Sequence, residues 1–220
     1  FEHADLETVS GLLDEAADFM SKVVAPTNRI GDKVGAQHDG KGNVTLPPEF
    51  KKAYDTYVES GWNTLQFPEQ YGGGGFPSVV GLALQEMLQS SNMAFALCPL
   101  LTQGAIDALL HYGSDEQKNA YLPKMVSGEW TGTMNLTEPQ AGSDVGLCTT
   151  KAEPQGDGTY KISGTKIFIS FGEHDMAENI IHLVLARIPG SPPGTKGISL
   201  FIVPKFLVNG DGSLGERNDV

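Results

Sequence analysis

Met134-Asn135-Leu136-Thr137-Glu138-Pro139-Gln140-Ala141-Gly142-Ser143-Asp144 is the stretch on which the reading of this chain turns. Trp130, Gly132, Met134 and Leu136 alternate with Thr131, Thr133, Asn135 and Thr137, so a strand over 130–137 carries one largely apolar face and one polar face. Pro139 ends regular pairing, and Ala141-Gly142-Ser143-Asp144 forms a loop that exposes backbone N–H groups beside a short hydroxyl. A plain surface strand can carry the same pattern. A strand that opens into hydroxyls and bare amides also suits a flat polar ring or a phosphate.

Upstream of this stretch the period is helical. Leu6, Val9, Leu13, Ala16, Ala17, Met20 and Val24 recur at helical spacing up to Pro26, and 27–44, rich in Gly and Asp, reads as a loop. Pro47-Pro48 starts a second helix with Phe50, Tyr54, Tyr57 and Val58 on its apolar face and Gly61 as its stop. The run Tyr71-Gly72-Gly73-Gly74-Gly75-Phe76-Pro77 turns into a third helix, capped by Ser78. A fourth runs from about Pro99 to Tyr112 and closes at Gly113, in keeping with glycine's place at helix ends. Ser114-Asp115-Glu116-Gln117 has the residues of a capping box, and Pro123 should end or kink the helix it opens. Downstream the period is two, and strands are predicted at 130–137, 149–153, 159–163, 166–170, 180–188 and 198–203. Helices followed by a run of strands predict an α+β chain with segregated layers.

Composition narrows the function. Asp plus Glu at 27 against Lys plus Arg at 15 gives a net charge of −12, which argues against nucleic acid or an anionic membrane as the main partner. No stretch approaches the roughly 18 consecutive apolar residues of a membrane span. Cys98 and Cys148 make no disulfide framework, which fits a reducing compartment and a cytoplasmic location. A first residue of Phe1 rather than Met suggests part of a longer protein.

The glycine run lacks the Lys-Ser/Thr of a phosphate loop and reads as a turn. His174 and His182 have no metal spacing, and Cys148 reads as a packed thiol. What remains is Thr137, the Gly142-Ser143 loop and Lys166-Ile167-Phe168-Ile169-Ser170-Phe171-Gly172, where a predicted strand puts an aromatic and a hydroxyl on one face. An isoalloxazine ring wants an aromatic wall and N–H or O–H donors along its polar edge, where negative charge builds on reduction.

Leu136-Thr137-Glu138-Pro139-Gln140-Ala141-Gly142-Ser143-Asp144, followed by Lys166-Ile167-Phe168-Ile169-Ser170, resembles the flavin-binding region of the acyl-CoA dehydrogenase family. Phe67-Pro68-Glu69-Gln70-Tyr71-Gly72-Gly73 and Tyr112-Gly113-Ser114-Asp115-Glu116-Gln117-Lys118 resemble stretches of that family's helical N-terminal domain, so the likeness spans nearly the whole chain. Gly61-Trp62-Asn63-Thr64-Leu65-Gln66-Phe67-Pro68 is similar to the branch that includes methylthiopropionyl-CoA dehydrogenases.

The resemblance implies an all-α N-terminal domain over residues 1–129 and an antiparallel β-barrel, flavin-binding domain over 130–220, with the family's C-terminal helical domain absent. It implies FAD as cofactor, held by Met134, Leu136, Thr137, Gly142, Ser143, Phe168, Ile169 and Ser170. In that scheme Leu136 and Thr137 meet the pyrimidine edge, and Gly142 and Ser143 lie by the pyrophosphate or the CoA moiety of the substrate. Phe168 backs the ring and Ser170 bonds N5. The family converts an acyl-CoA thioester to the trans-2-enoyl-CoA and usually passes electrons to an electron-transferring flavoprotein; its full-length members are commonly homo-oligomers.

The sequence departs from the family pattern at Met134, Asn135 and Leu147, and it carries Phe168 and Ser170 where tryptophan and threonine are commoner. No residue here reads as the family's catalytic base: Glu138, the nearest carboxylate, has a structural place in its motif. Three rivals stand beside this reading. They are an acyl-CoA oxidase or flavin monooxygenase of the same fold, a non-catalytic relative that binds acyl-CoA or a partner, and a DNA-associated relative.

Overall fold

The structure, a computed structural model, describes residues 1–220. Helices α1 (Leu6–Phe19) and α2 (Ala25–Val34) form one continuous rod joined through a π-helical turn at Met20–Val24. The expected loop over 27–44 is therefore helical as far as Val34. Ala25 N–H donates to the Met20 carbonyl, and this widened turn leaves room for Pro26, which has no N–H to give, at the start of α2. A two-stranded ribbon, β1 (Gln37–His38) with β2 (Val44–Thr45), leads to α3 (Pro48–Glu59), which starts at Pro47-Pro48 as expected.

Helix α4 (Ser78–Ser91) has Pro77, not Ser78, in the capping place. Helix α5 (Met93–Tyr112) begins six residues before Pro99, because the Asn92 side chain caps it by accepting from Phe95 N–H. The same Asn92 donates to Thr27 Oγ1 at 2.8 Å and so ties α5 to α2. Pro99 costs a helical hydrogen bond, but it lies on the buried face with Phe95, Cys98 and Thr102, where packing outweighs the loss. By length and composition α5 passes for a membrane span; Thr102, Gln103 and Asp107 interrupt its apolar run, and in this fold it packs on α4, α6 and β3. Helix α6 (Asp115–Ser127) opens with the predicted capping box and continues past Pro123 to Gly128, whose φ of +84° ends it.

Strands β3 (Trp130–Asn135), β4 (Lys151–Pro154), β5 (Tyr160–Ser163), β6 (Asn179–Arg187) and β7 (Ile198–Pro204) make one sheet, and β8 (Phe206–Val208) with β9 (Leu214–Arg217) a second ribbon. The helical-then-β architecture holds. The sheet is mixed rather than wholly antiparallel, since central β6 runs parallel to β3 and to β4 and antiparallel to β7. Central β6 is buried along most of its length, as a strand covered on both faces must be.

Two buried clusters fill the interior. One lies among the helices, around Met20, Tyr57, Leu88 and Phe95. The other joins α5 and α6 to the sheet through Ile106, Leu122, Met125, Trp130 and Ile181. Strand and helix meet closely at Gly132, where a Cβ would lie 2.6 Å from Ala105 Cβ. Trp130, Gly132 and Met134 thus face the helices, and Thr131, Thr133 and Asn135 face away from them.

Candidate functional site

Where β3 stops, the chain makes a tight turn in which Glu138 and Ala141 exchange backbone hydrogen bonds of 2.9 and 3.0 Å. This turn swings the Glu138 side chain inward until it is almost completely buried. Its Oε1 accepts from Cys148 Sγ (2.9 Å), Thr150 N–H (3.0 Å), Thr150 Oγ1 (2.5 Å) and Lys166 Nζ (2.9 Å). Its Oε2 accepts from Gln140 Nε2 (2.6 Å), Thr149 N–H (2.7 Å) and Thr149 Oγ1 (2.8 Å). Burial alone would raise the carboxyl's pKa, but the donors from Cys148, Thr150, Thr149 and Lys166 outweigh it and hold the group well below the usual carboxylate range. A carboxylate so saturated has no lone pair left for a substrate proton. Cys148 is the packed thiol expected, with its pKa pushed up by burial and by Glu138.

Lys166 carries the turn across to the second segment. Its Nζ also donates to the Leu136 carbonyl at 3.0 Å, and the next residue, Ile167, donates its N–H to the Thr137 carbonyl at 2.9 Å. The segments 136–138 and 166–167 are therefore bonded side by side. Just before Lys166, Gly164 packs tightly on Thr150, where a Cβ would lie 2.9 Å from Thr150 Cα.

The predicted strand over 166–170 does not form. Phe168 and Phe171 have φ of +59° and +53°, the only non-glycine residues of the chain in the left-handed region, and that geometry breaks the pleat. Phe168 stands 89% exposed, Ser170 is exposed, and Ile169 lines an open cleft that also reaches Asn135 and His182. The shared strand face proposed for Phe168 and Ser170 is replaced by a projecting loop.

The far end of this loop is pinned as firmly as its start. Met176 N–H donates to His174 Nδ1 at 3.1 Å, which leaves the ring proton on Nε2 to donate to Thr131 Oγ1 at 3.0 Å. Lys205 pairs with Glu173, and Arg217 bridges Glu173 (3.3 Å) to Asn43 Oδ1 (2.6 Å) of the β1–β2 ribbon. Asp175 accepts from Leu46 N–H at 3.0 Å. One strand over, Thr133 Oγ1 donates to Asn135 Oδ1, so His182 Nδ1 carries the proton that it shares with Thr133 Oγ1, 2.7 Å away. Burial, reinforced by the charge of Lys205, lowers both histidines to about 4, so both are neutral at pH 7.

Gly142 and Ser143 follow the Glu138–Ala141 turn and are exposed, with open space where a Gly142 Cβ would be. Their loop is held from below by Arg187, which donates to the carbonyls of Cys148 (2.7 Å), Gly194 (2.8 Å) and Pro192 (3.1 Å) and to that of Gly146. Met134 is half-buried, with its side chain packed against the helix-facing cluster. Sequence reasoning missed Lys166, Arg187, His174 and His182 as supports. Lys166 lies within a quoted motif and His174 beside one, while His182 and Arg187 lie on the predicted 180–188 strand, and the partners that join them to the first segment are 28 to 49 residues away.

Several donors of these segments are unused. The N–H groups of Leu136, Thr137, Gly142, Ser143 and Ser170 and the hydroxyls of Thr137, Ser143 and Ser170 make no hydrogen bond within the chain. Elsewhere the contrast is plain: in the glycine run, the N–H groups of Gly73, Gly74 and Gly75 all reach carbonyls, which makes it the turn expected.

Comparison with known proteins settles the kinship. Residues 7–129 match the acyl-CoA dehydrogenase N-terminal domain and residues 133–214 the middle domain. The chain belongs to the acyl-CoA dehydrogenase family. It is 52% identical, over 99% of its length, to 37% of the 3-methylmercaptopropionyl-CoA dehydrogenase of Ruegeria pomeroyi. Among solved structures it resembles a chain of the electron-transferring flavoprotein study of Acidaminococcus fermentans, with a TM-score of 0.73 and 30% identity over 89% of this chain and 47% of that one. It also resembles an acyl-CoA dehydrogenase complexed with FAD from Bacillus anthracis, with a TM-score of 0.73 and 26% identity over 92% of this chain and 32% of that one. The chain thus spans 32% to 47% of the length of these relatives.

Proposed function

We propose that this chain forms the flavin-holding part of an FAD-dependent acyl-CoA dehydrogenase that acts on a short, thioether-bearing acyl-CoA. The observation that carries this reading is the row of unpaired donors at Leu136, Thr137, Gly142, Ser143 and Ser170, set on segments that the saturated Glu138 carboxylate, Lys166 and Arg187 hold in place. Such donors fit the acceptors of a flavin's pyrimidine edge and of a diphosphate. The exposed Phe168 ring fits an aromatic wall with nothing inside the chain to cover it. The substrate class rests on the likeness to the Ruegeria pomeroyi enzyme.

When bound, FAD supplies a two-electron acceptor for the substrate's β-hydride while an α-proton is removed, giving the trans-2-enoyl-CoA. The residues here orient rather than abstract. Thr137 Oγ1 and the Leu136 and Thr137 amides would hold the edge where negative charge develops, and fixed donors there would lower the barrier. Ser170 Oγ would bond the ring, and Gly142 and Ser143 would offer amides and a hydroxyl to the diphosphate. Glu138 is bound by too many donors to serve as the base, so the base lies outside these residues. An electron-transferring flavoprotein is the acceptor in this scheme, and a homo-oligomer the full-length assembly.

The experiment is to purify the full-length protein, load it with FAD and add 3-methylthiopropionyl-CoA without oxygen. The flavin absorbance should bleach and the enoyl-CoA form in equal amount, with slow reoxidation in air. Protein that stays colourless after incubation with FAD refutes the flavin reading. Rapid peroxide release in air assigns it to the oxidases instead.

A further inference from the structure

Glu138 and Lys166 are opposite charges 2.9 Å apart, with 2% and 9% of their side chains exposed. Isolation of a charge pair from water is costly, and such a pair adds specificity more readily than stability. Its position shows what it specifies. Lys166 Nζ donates both to Glu138 and to the Leu136 carbonyl, so one ammonium grips the backbone of the first donor segment while its own backbone leads into the second. The pair stands directly behind the donors of Leu136 and Thr137. Glu138 keeps its charge without Lys166, because Thr149, Thr150, Cys148 and Gln140 still donate to it.

We infer that Lys166 and Glu138 are a positioning pair, which fixes the two donor segments in register and, by cancelling charge behind the pyrimidine edge, sets how readily the bound flavin is reduced. This rests on the flavin reading above. It follows that removal of one partner does two separable things. Either loss loosens the register and weakens FAD binding. The electrostatic effects have opposite signs: without Lys166 a bare carboxylate opposes the negative charge of reduction, and without Glu138 a bare ammonium favours it.

The test uses the full-length holoenzyme and the variants Lys166→Met, Glu138→Gln and Lys166→Arg, with FAD affinity and the two-electron potential as readouts. Lys166→Met should lower the equilibrium constant for flavin reduction about tenfold and Glu138→Gln raise it about tenfold, which is about 30 mV each way for a two-electron couple. At an effective dielectric of about 20, one uncompensated unit charge has an effect of this size at about 12 Å. Both variants should bind FAD more weakly. Lys166→Arg keeps the charge but not the compact ammonium, so it should weaken FAD binding and leave the potential within about 10 mV of wild type, under a threefold change. It also serves where Lys166→Met does not fold. Shifts of the same sign in Lys166→Met and Glu138→Gln, unchanged potentials, or an Lys166→Arg shift as large as that expected for Lys166→Met overturn the inference. Wild-type enzyme that takes up no FAD overturns the flavin reading instead, and these two failures are told apart by that first measurement.

Discussion

The turn after β3 and the loop after Lys166 lie side by side, yet they are built on opposite terms. In the turn, Glu138 is buried and each carboxylate oxygen is saturated by donors. In the loop, Phe168 and Ser170 are exposed, and Phe168 and Phe171 hold left-handed backbone that side chains disfavour. Saturated polar groups build a frame, and what that frame presents is unpaired donors on both segments and, in the loop, an exposed ring on strained backbone. Neither region makes sense alone: the strain at Phe168 persists only because Lys166 and Ile167 fix one end of the loop and His174, Glu173 and Asp175 the other.

The strongest way to break this contrast is to empty the turn. Glu138→Ala strands the buried Lys166 charge and the hydroxyl, thiol and amide donors now aimed at the carboxylate. Loss of one member of a buried ion pair typically costs about 3–5 kcal/mol, and the full-length protein should lose that much in urea unfolding. A loss under about 1 kcal/mol would mean that the turn is not the frame, and the division drawn between the two regions would collapse.

The far anchor of the loop gives the next effect, and it is tuned by pH. His174 and His182 fall from 6.5 to about 4 on folding, so between those values the unfolded chain binds more protons than the folded one. Stability from this source is fully present above pH 6.5 and is lost as pH falls towards 4, by up to about 3 kcal/mol for each ring. Glu138 adds its own loss only once pH drops below its ordinary value of 4.5. His174→Gln and His182→Asn, which keep a neutral donor at the bonded position, should flatten the slope of unfolding free energy between pH 6.5 and 4.5. Variants with the wild-type slope would show that the histidines are not titrating groups of the fold.

Much of this frame was legible in the residues themselves. Ser114 and Gln117 announced their capping box, Pro47-Pro48 its helix, and the alternation from Trp130 its strand, because each signal is local. The structural place of Glu138 was legible from its motif, but not the identity of its partners. What local pattern cannot hold is a partner far along the chain: Thr131 meets His174, Lys166 meets Leu136, and β3 lies parallel to β6 across a whole hairpin. Proline misled at Pro26 and Pro99, and it did not end the helix at Pro123, since a π-turn and tertiary packing can absorb a missing N–H. Phe168 and Ser170 were singled out but placed on a strand, because a run of apolar and β-branched residues gives no warning of positive φ.

That error suggests the smallest and sharpest test of the contrast. A non-glycine residue held at φ +59° carries about 1–2 kcal/mol of backbone strain, and the 89% exposed Phe168 ring contributes little packing to offset it. Glycine removes the strain and returns part of the gain through the greater freedom of the unfolded chain, roughly 0.4–1 kcal/mol. Phe168→Gly should therefore leave the FAD-free protein more stable by up to about 1 kcal/mol in urea unfolding, while FAD binds more weakly for want of its aromatic wall. A trade of stability for affinity at one exposed position is the mark of a residue kept for its ligand. If Phe168→Gly instead destabilises the FAD-free protein, the ring belongs to the frame, and the boundary between what supports and what presents must be moved along the loop towards Ser170.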